Sequence, residues 1–308
     1  MSTFLVTGGA GFIGSHLCDA LMGDGHAVRV LDDLSTGKLE NLPPGATLVR
    51  GSVADPDILG RALEGVEGCF HLAAIASVER GVREWLLTHR TNLGGTVALF
   101  DAIARRGPPI PVVYASSAAV YGEPASLPLS EDAGKRPLSA YGADKYGSEL
   151  HALVATRVHG IPTVGLRFFN IYGPRQDARS PYSGVVSVFA GRLRNHEPIT
   201  IFGDGNQTRD FVFVIDAVRA LKAAMTLSPN GASVFNICTG TAVSVLELAR
   251  HLGAIGGWTP DIRFAPARTG EIRHSVGAPE RARRVLGLAE PVPVRAGLER
   301  LLADRLTA

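Results

Sequence analysis

Thr3-Phe4-Leu5-Val6-Thr7 runs directly into Gly8-Gly9-Ala10-Gly11-Phe12-Ile13-Gly14, and this junction limits the possible folds more than any other stretch of the 308 residues. A short β-type run followed at once by Gly8, Gly11 and Gly14 is a G-x-x-G-x-x-G loop joining a strand to a helix. Glycine permits the tight turn and lets the backbone approach a pyrophosphate closely. The helix behind the loop, expected over 12–23, aims its N–H groups and its dipole at that anion. The next apolar run, Ala27-Val28-Arg29-Val30-Leu31, ends at Asp32, which lies 32 − 14 = 18 residues past the third glycine. A carboxylate there binds both hydroxyls of an adenosine ribose and repels a 2′-phosphate. Asp33 and Leu34 follow, so no arginine stands behind Asp32 to accept that phosphate. The loop specifies NAD.

The rest of the chain keeps the same rhythm. Strands are expected near 3–7, 28–32, 47–50, 68–73, 111–116, 162–167 and 234–237, and helices near 12–23, 56–64, 82–106, 141–159, 216–227 and 245–252. Alternation of this kind means right-handed crossovers and an α/β fold, a Rossmann-type doubly wound parallel sheet. The pattern loosens at 171–210 and again after Gly256, where Pro, Gly and Arg are frequent. Charge is nearly balanced, 31 Lys and Arg against 29 Asp and Glu, so neither a nucleic-acid partner nor a membrane surface is expected. Cys18, Cys69 and Cys238 are scattered in or beside apolar runs and read as reduced core residues, with no metal spacing among them. No apolar run reaches the ~18 residues that a membrane helix requires. A first strand starting at Thr3 leaves no room for a signal peptide, which gives a cytoplasmic expectation.

The chemistry is carried by Tyr141 and Lys145, four residues apart in a helical stretch and hence one turn apart on one face. A free tyrosine holds its proton until about pH 10. A neighbouring ammonium favours the phenolate, which would make Tyr141 a base near neutral pH. The buried-type strand Val112-Val113-Tyr114-Ala115-Ser116-Ser117 ends in two hydroxyls. In an open α/β sheet ligands sit beyond the carboxyl ends of the strands, so both serines emerge near the nicotinamide. Ser117 is the candidate for holding the substrate oxygen whose proton Tyr141 removes. For Ser116, ligand contact and turn capping both remain open.

With these blocks in hand the chain resembles the extended short-chain dehydrogenase/reductase family, in its nucleotide-sugar epimerase branch. The likeness runs through Thr7 to Gly14, His71-Leu72-Ala73-Ala74, Asn92, Ser116 to Gly122, Tyr141 with Lys145, Arg167 to Pro174, Phe202-Gly203-Asp204-Gly205 and Thr208 to Val212. The resemblance implies a UDP-sugar 4-epimerase working by transient oxidation at C4, rotation of the 4-keto sugar and re-reduction. It implies Ser117, Tyr141 and Lys145 as the catalytic set. Phe12, Ile13, Asp33, Ser52, Val53, Leu72, Ala73, Ala74, Asn92, Ser116 and Phe168 would line the cofactor with the glycines, Asp32, Tyr141 and Lys145. Ala118, Asn170, Arg209, Arg268 and Ser275 would face the substrate. Two guanidinium forks suit a diphosphate, although a surface salt bridge is the ordinary use of any single arginine. The resemblance further implies interleaved domains, 1–170 plus 211–255 for NAD and 171–210 plus 256–308 for the nucleotide sugar, and a homodimer paired through helices near 82–106 and 141–159.

Some positions depart from the family pattern. Ser52 stands where an aspartate commonly binds adenine, and Ala76 where the best-known galactose epimerases carry a lysine. Ala118 and Ala119 occupy positions that are acidic in 4,6-dehydratases, which weighs against expulsion of a 6-hydroxyl. It weighs less heavily against a UDP-glucuronate decarboxylase. UDP-glucuronate 4-epimerase stays open, with Ser180, Tyr182 and Ser183 as candidates facing C6. A reading of another class, a non-catalytic NAD-binding scaffold, is opposed by the retained Tyr141 and Lys145. Matching the segment Glu271 to Ala278 to the family sets Ser275 against the sugar C2 substituent, where a small side chain admits an N-acetyl group; a register shift would put His274 or Val276 there instead.

Overall fold

The computed structural model describes residues 1–177, 184–227, 231–267 and 272–304. In chain order the first half comprises β1 (Thr3–Thr7), α1 (Phe12–Gly23), β2 (Ala27–Asp32), β3 (Thr47–Arg50), α2 (Pro56–Leu63), β4 (Gly68–His71), α3 (Val78–Arg83), α4 (Trp85–His89), α5 (Gly95–Arg105), β5 (Val112–Ser117) and α6 (Ala140–His159). There follow β6 (Thr163–Phe168), β7 (Asn170–Tyr172), α7 (Val185–Arg194), β8 (Ile199–Phe202), β9 (Thr208–Arg209), β10 (Phe211–Phe213), α8 (Val214–Thr226) and β11 (Ala232–Ile237). The chain ends with β12 (Val243–Ser244), α9 (Val245–Gly256), β13 (Ile262–Ala265), β14 (His274–Ser275), α10 (Glu280–Leu286) and α11 (Val294–Ala303).

Seven strands form one sheet in the order β11-β6-β5-β4-β1-β2-β3, and every pairing in it is parallel. Its strands read as near-continuous apolar runs because helices cover both faces. Alternate residues therefore enter different cores. Val6, Val30, Phe70 and Val113 pack with α1 and α8 on one side, while Leu5, Leu31, Cys69 and Val112 pack with α2, α5 and α6 on the other. The strand order reverses between β1 and β4, which opens a crevice at their carboxyl ends where such sheets bind ligands. A third apolar cluster lies apart from the sheet. It joins Tyr172, Phe189 and Leu193 to Val245, Leu248 and Leu252 of α9 and Leu298 of α11.

The continuous helix expected over 82–106 is broken. Glu84 leaves helical geometry at φ −124°, ψ 51°, and Arg90–Gly94 forms a π-helical turn. The π-helical turn centres on Asn92, whose buried amide bonds the backbone of Ile75 at both ends, 2.7 Å and 3.2 Å. Thr96 then donates its hydroxyl to the freed Asn92 carbonyl at 2.6 Å. The helix yields one turn so that Asn92 can hold the loop following β4. No helix among the described residues is long and apolar enough to cross a membrane.

Candidate active site

The Gly-rich loop is built as an anion cradle. A Cβ added to Gly14 would collide with the Gly8 carbonyl, so only glycine lets α1 start this close to the turn. The Asp32 carboxylate closes the loop from the next strand. Its Oδ2 accepts from the Ala10 N–H at 3.0 Å and its Oδ1 from the Leu34 N–H at 2.9 Å. Burial raises the Asp32 pKa, and the two backbone bonds oppose that rise. On the neighbouring strand, Thr7 Oγ1 accepts from the N–H groups of Leu72 and Ala73, both at 3.2 Å, and so fixes the backbone of the Leu72-Ala73-Ala74 wall. A glycine cradle, a helix N-terminus and a carboxylate at the second strand end together fit a dinucleotide.

At the end of β5 the Ser117 hydroxyl caps a single 3₁₀ turn, Ala118–Val120, by accepting from the Ala119 N–H at 3.2 Å. Helix α6 is pressed onto this turn. Its N-cap Ser139 accepts from the Gly142 N–H at 3.0 Å, and a Cβ on Gly142 would stand 2.6 Å from the Ala119 carbonyl oxygen. That contact sets Tyr141 near Ser117, whose hydroxyl favours the phenolate. Lys145 lies one turn on, its Nζ 5.8 Å from the centre of the Tyr141 ring and donating to the Ala115 carbonyl at 2.8 Å.

The electrostatics differ from the expectation in one respect. Burial raises the Tyr141 pKa, and the bond from Ser117 is the influence pulling it down, rather than Lys145. Lys145 is itself buried, which takes its pKa to about 8, and its ammonium is engaged with Ala115. A dry site penalises both charged forms, so burial moves the two proton affinities apart, Tyr141 upward and Lys145 downward.

Two expected ligand contacts are directed elsewhere. The Ser116 hydroxyl points into the protein and donates to Glu149 Oε1 at 2.5 Å. Glu149 lies one turn beyond Lys145 and forms a bidentate pair with Arg167 of β6, at 2.8 Å and 2.7 Å. Asn92 acts on the site through the Ile75 loop. Val53, in the turn after β3, and Phe168, at the end of β6, are core residues, and the Ser52 hydroxyl accepts from the Ala54 N–H in that turn. Asp33 bonds Ser35. Phe12 and Ile13 open α1, where both pack against the third cluster. On the substrate side Asn170 is exposed at the start of β7, and Ala118 opens the 3₁₀ turn. Arg209 of β9 pairs in register with Ser275 of β14. Arg268, Ser180, Tyr182 and Ser183 lie outside the described residues.

Sequence reasoning missed the polar groups that hold these pieces. Asp210, fully buried, accepts from Thr239 and from the Gly240 and Gly277 N–H groups, tying β10 to the segments on either side of it. His71 bridges Thr7 at 2.8 Å and Thr96 at 3.0 Å. The available signal was a charged or polar residue inside an apolar run, as with Arg167 in Thr163–Phe168.

Comparison with known proteins places this geometry. The profile of the NAD dependent epimerase/dehydratase family matches residues 4–238. A UDP-glucose 4-epimerase of Mycolicibacterium smegmatis is 38% identical over 300 residues, covering 96% of this chain and 95% of that protein. The crystal structure of the Thermotoga maritima UDP-glucose 4-epimerase with UDP-glucose superimposes with a TM-score of 0.93 at 38% identity, over 97% of each chain. The UDP-N-acetylglucosamine 4-epimerase of Methanobrevibacter ruminantium, solved with UDP-N-acetylmuramic acid, gives 0.92 at 33% identity, over 98% of this chain and 97% of that one.

Proposed function

We propose, from the fact that this chain belongs to the NAD-dependent epimerase/dehydratase family, that it is an enzyme interconverting UDP-sugars epimeric at C4. UDP-glucose and UDP-galactose are the first pair, and UDP-GlcNAc and UDP-GalNAc the second. The observation that carries this reading is the seating of Tyr141 against Ser117 at the end of β5, with Lys145 one turn behind. Gly8, Gly11 and Gly14 receive the pyrophosphate of NAD, Asp32 its adenosine ribose and Lys145 its nicotinamide ribose. Bound NAD supplies reversible hydride exchange with C4, so the cycle has no net redox change. Tyr141 takes the proton of the sugar 4-hydroxyl and returns it when the alcohol re-forms, while Ser117 holds the 4-oxygen. Arg209 and Arg268 grip the diphosphate, leaving the sugar free to present either face. Ala118 and Ala119 offer no acid for dehydration. The direct test is to incubate the protein with UDP-glucose and with UDP-GlcNAc and to follow the 4-epimers by NMR; absence of both products would reject the reading.

Acceptance of the N-acetyl group rests on Ser275. Of the three positions in that segment, His274 is bonded to Thr208 at 2.9 Å and Val276 is buried, while Ser275 is half-buried beside Arg209. The two-lobed division is kept as part of this proposal, supported by the separate apolar cluster around α7 and α11, which also takes in Phe211, Phe213, Val214 and residues of α9 from the 211–255 segment. We further propose a homodimer. Helices α3, α4 and α6 leave Val82, Trp85, Leu86, Leu150, Val154 and Val158 at 49% exposure or more on one side of the molecule, and a second copy would cover them. Three buried, unpaired cysteines suit a reducing cytoplasm.

A further inference from the structure

Directly beside the Tyr141 and Lys145 pair lies a buried carboxylate that the chemistry above leaves unused. Asp144 precedes Lys145 on α6 and is 4% exposed. Its Oδ1 accepts from His89 Nδ1 at 2.8 Å, across from the end of α4. Its Oδ2 is buried without a hydrogen-bond partner, as is Oγ1 of Thr88, the residue before that histidine. Leaving a carboxylate oxygen dry and unmatched is unfavourable, more so than for a neutral group. Asp144 is the fifth residue of α6, past the first turn in which a helix N-terminus compensates an anion. The site therefore tolerates a poorly satisfied charge next to the lysine that binds NAD and faces the base.

The other charged and titratable groups around Lys145 are compensated or neutral. Glu149, on the same helix, is matched by the Arg167 fork from β6. His71 of β4 is kept uncharged by burial and Tyr114 of β5 is kept protonated by it, while Tyr141 is the base itself. His89 of α4 meets Asp144 through Nδ1. Asp144 is left as the anion able to act on Lys145, and its charge opposes the effect of burial there.

We propose that Asp144 is a positioning residue whose carboxylate, oriented by His89, holds Lys145 in the ammonium form beside Tyr141. This rests on Tyr141 and Lys145 being the acid–base pair of the epimerase. Without the ammonium a phenolate at Tyr141 has no counter-charge, so activity falls as Lys145 loses its proton on the alkaline side. Asp144→Asn has the same shape, keeps an acceptor for His89 and removes the charge. In NAD-loaded enzyme labelled with ¹³C-lysine, the titration midpoint of Lys145 should drop by about one pH unit, the scale of one partly screened neighbouring charge. The alkaline limb of the kcat–pH profile with UDP-glucose should move down with it. Asp144→Ser should repeat the shift if the asparagine variant does not fold, and His89→Ala, which keeps the charge, should move the midpoint much less. A merely structural tie between α4 and α6 predicts slower turnover in all three variants with an unmoved midpoint, and that result overturns the proposal. A midpoint that drops while the activity limb stays in place supports the action of Asp144 on Lys145 and counts instead against the acid–base assignment.

Discussion

Tyr141 carries two constraints at once: it must give up a proton, yet burial raises its pKa. The influence that lowers it again is local, the hydroxyl of Ser117, while the ammonium of Lys145 is itself destabilised by burial. Tyr141→Phe keeps the ring and its packing but removes the proton acceptor. Turnover should fall by at least ~100-fold, the scale of general-base catalysis. NAD should remain bound, because the cradle and Asp32 are untouched; near-normal epimerase activity in this variant would discard the mechanism. Ser275→Tyr probes the substrate instead. A phenol ring beside Arg209 fills the space an N-acetyl group needs, and a clash of several heavy atoms costs more than an unused pocket. Turnover of UDP-GlcNAc should drop about tenfold or more relative to UDP-galactose. Equal loss on both substrates would remove Ser275 from the pocket.

Elements were legible where one periodicity held without interruption. The strand–loop–helix–strand from Thr3 to Asp32 could be read with its boundaries, since apolar runs, glycines and the carboxylate all indicate the same turn. The stretch near 82–106 misled because its residues are individually compatible with one long helix. What breaks it is a contact far away in sequence, the Asn92 amide against Ile75, and no local pattern encodes that. For the same reason Ser116 looked like a ligand contact: a hydroxyl at a strand end gives no hint that Glu149, on another helix, will accept its proton. The exposed apolar side chains on α6 yield a prediction at this scale. Leu150 and Val154 lie one turn apart on that helix and are about half exposed, so aspartates there disturb no core of the single chain. Leu150→Asp with Val154→Asp should leave a folded monomer by light scattering, in contrast to the dimer proposed for the parent. A double variant that stays dimeric would place the interface elsewhere.

For the molecule as a whole, the buried groups that assemble the site also set its response to acid. His71 is 5% exposed and bonded on both sides to threonine hydroxyls, and burial together with the charge of Lys145 lowers its pKa from 6.5 to about 3. The fold holds this imidazole neutral, whereas the unfolded chain takes up a proton below about pH 6.5. Its contribution is therefore complete above pH 6.5 and is lost as pH falls from there towards 3. Between pH 8 and pH 5 the loss amounts to about 2 kcal/mol, a large share of the roughly 5–15 kcal/mol that stabilises a typical protein. Asp32 and Asp210 work in the opposite sense, since burial raises their pKa values above 3.8 and the fold then binds protons ahead of the unfolded chain. Urea unfolding at fixed protein concentration, for the parent and for His71→Gln, would isolate the term. Glutamine still reaches for Thr7 or Thr96 but cannot ionise, so the variant should be weaker at pH 8 and lose about 2 kcal/mol less than the parent on going to pH 5. Parallel losses in the two proteins would show that acid sensitivity resides in other groups.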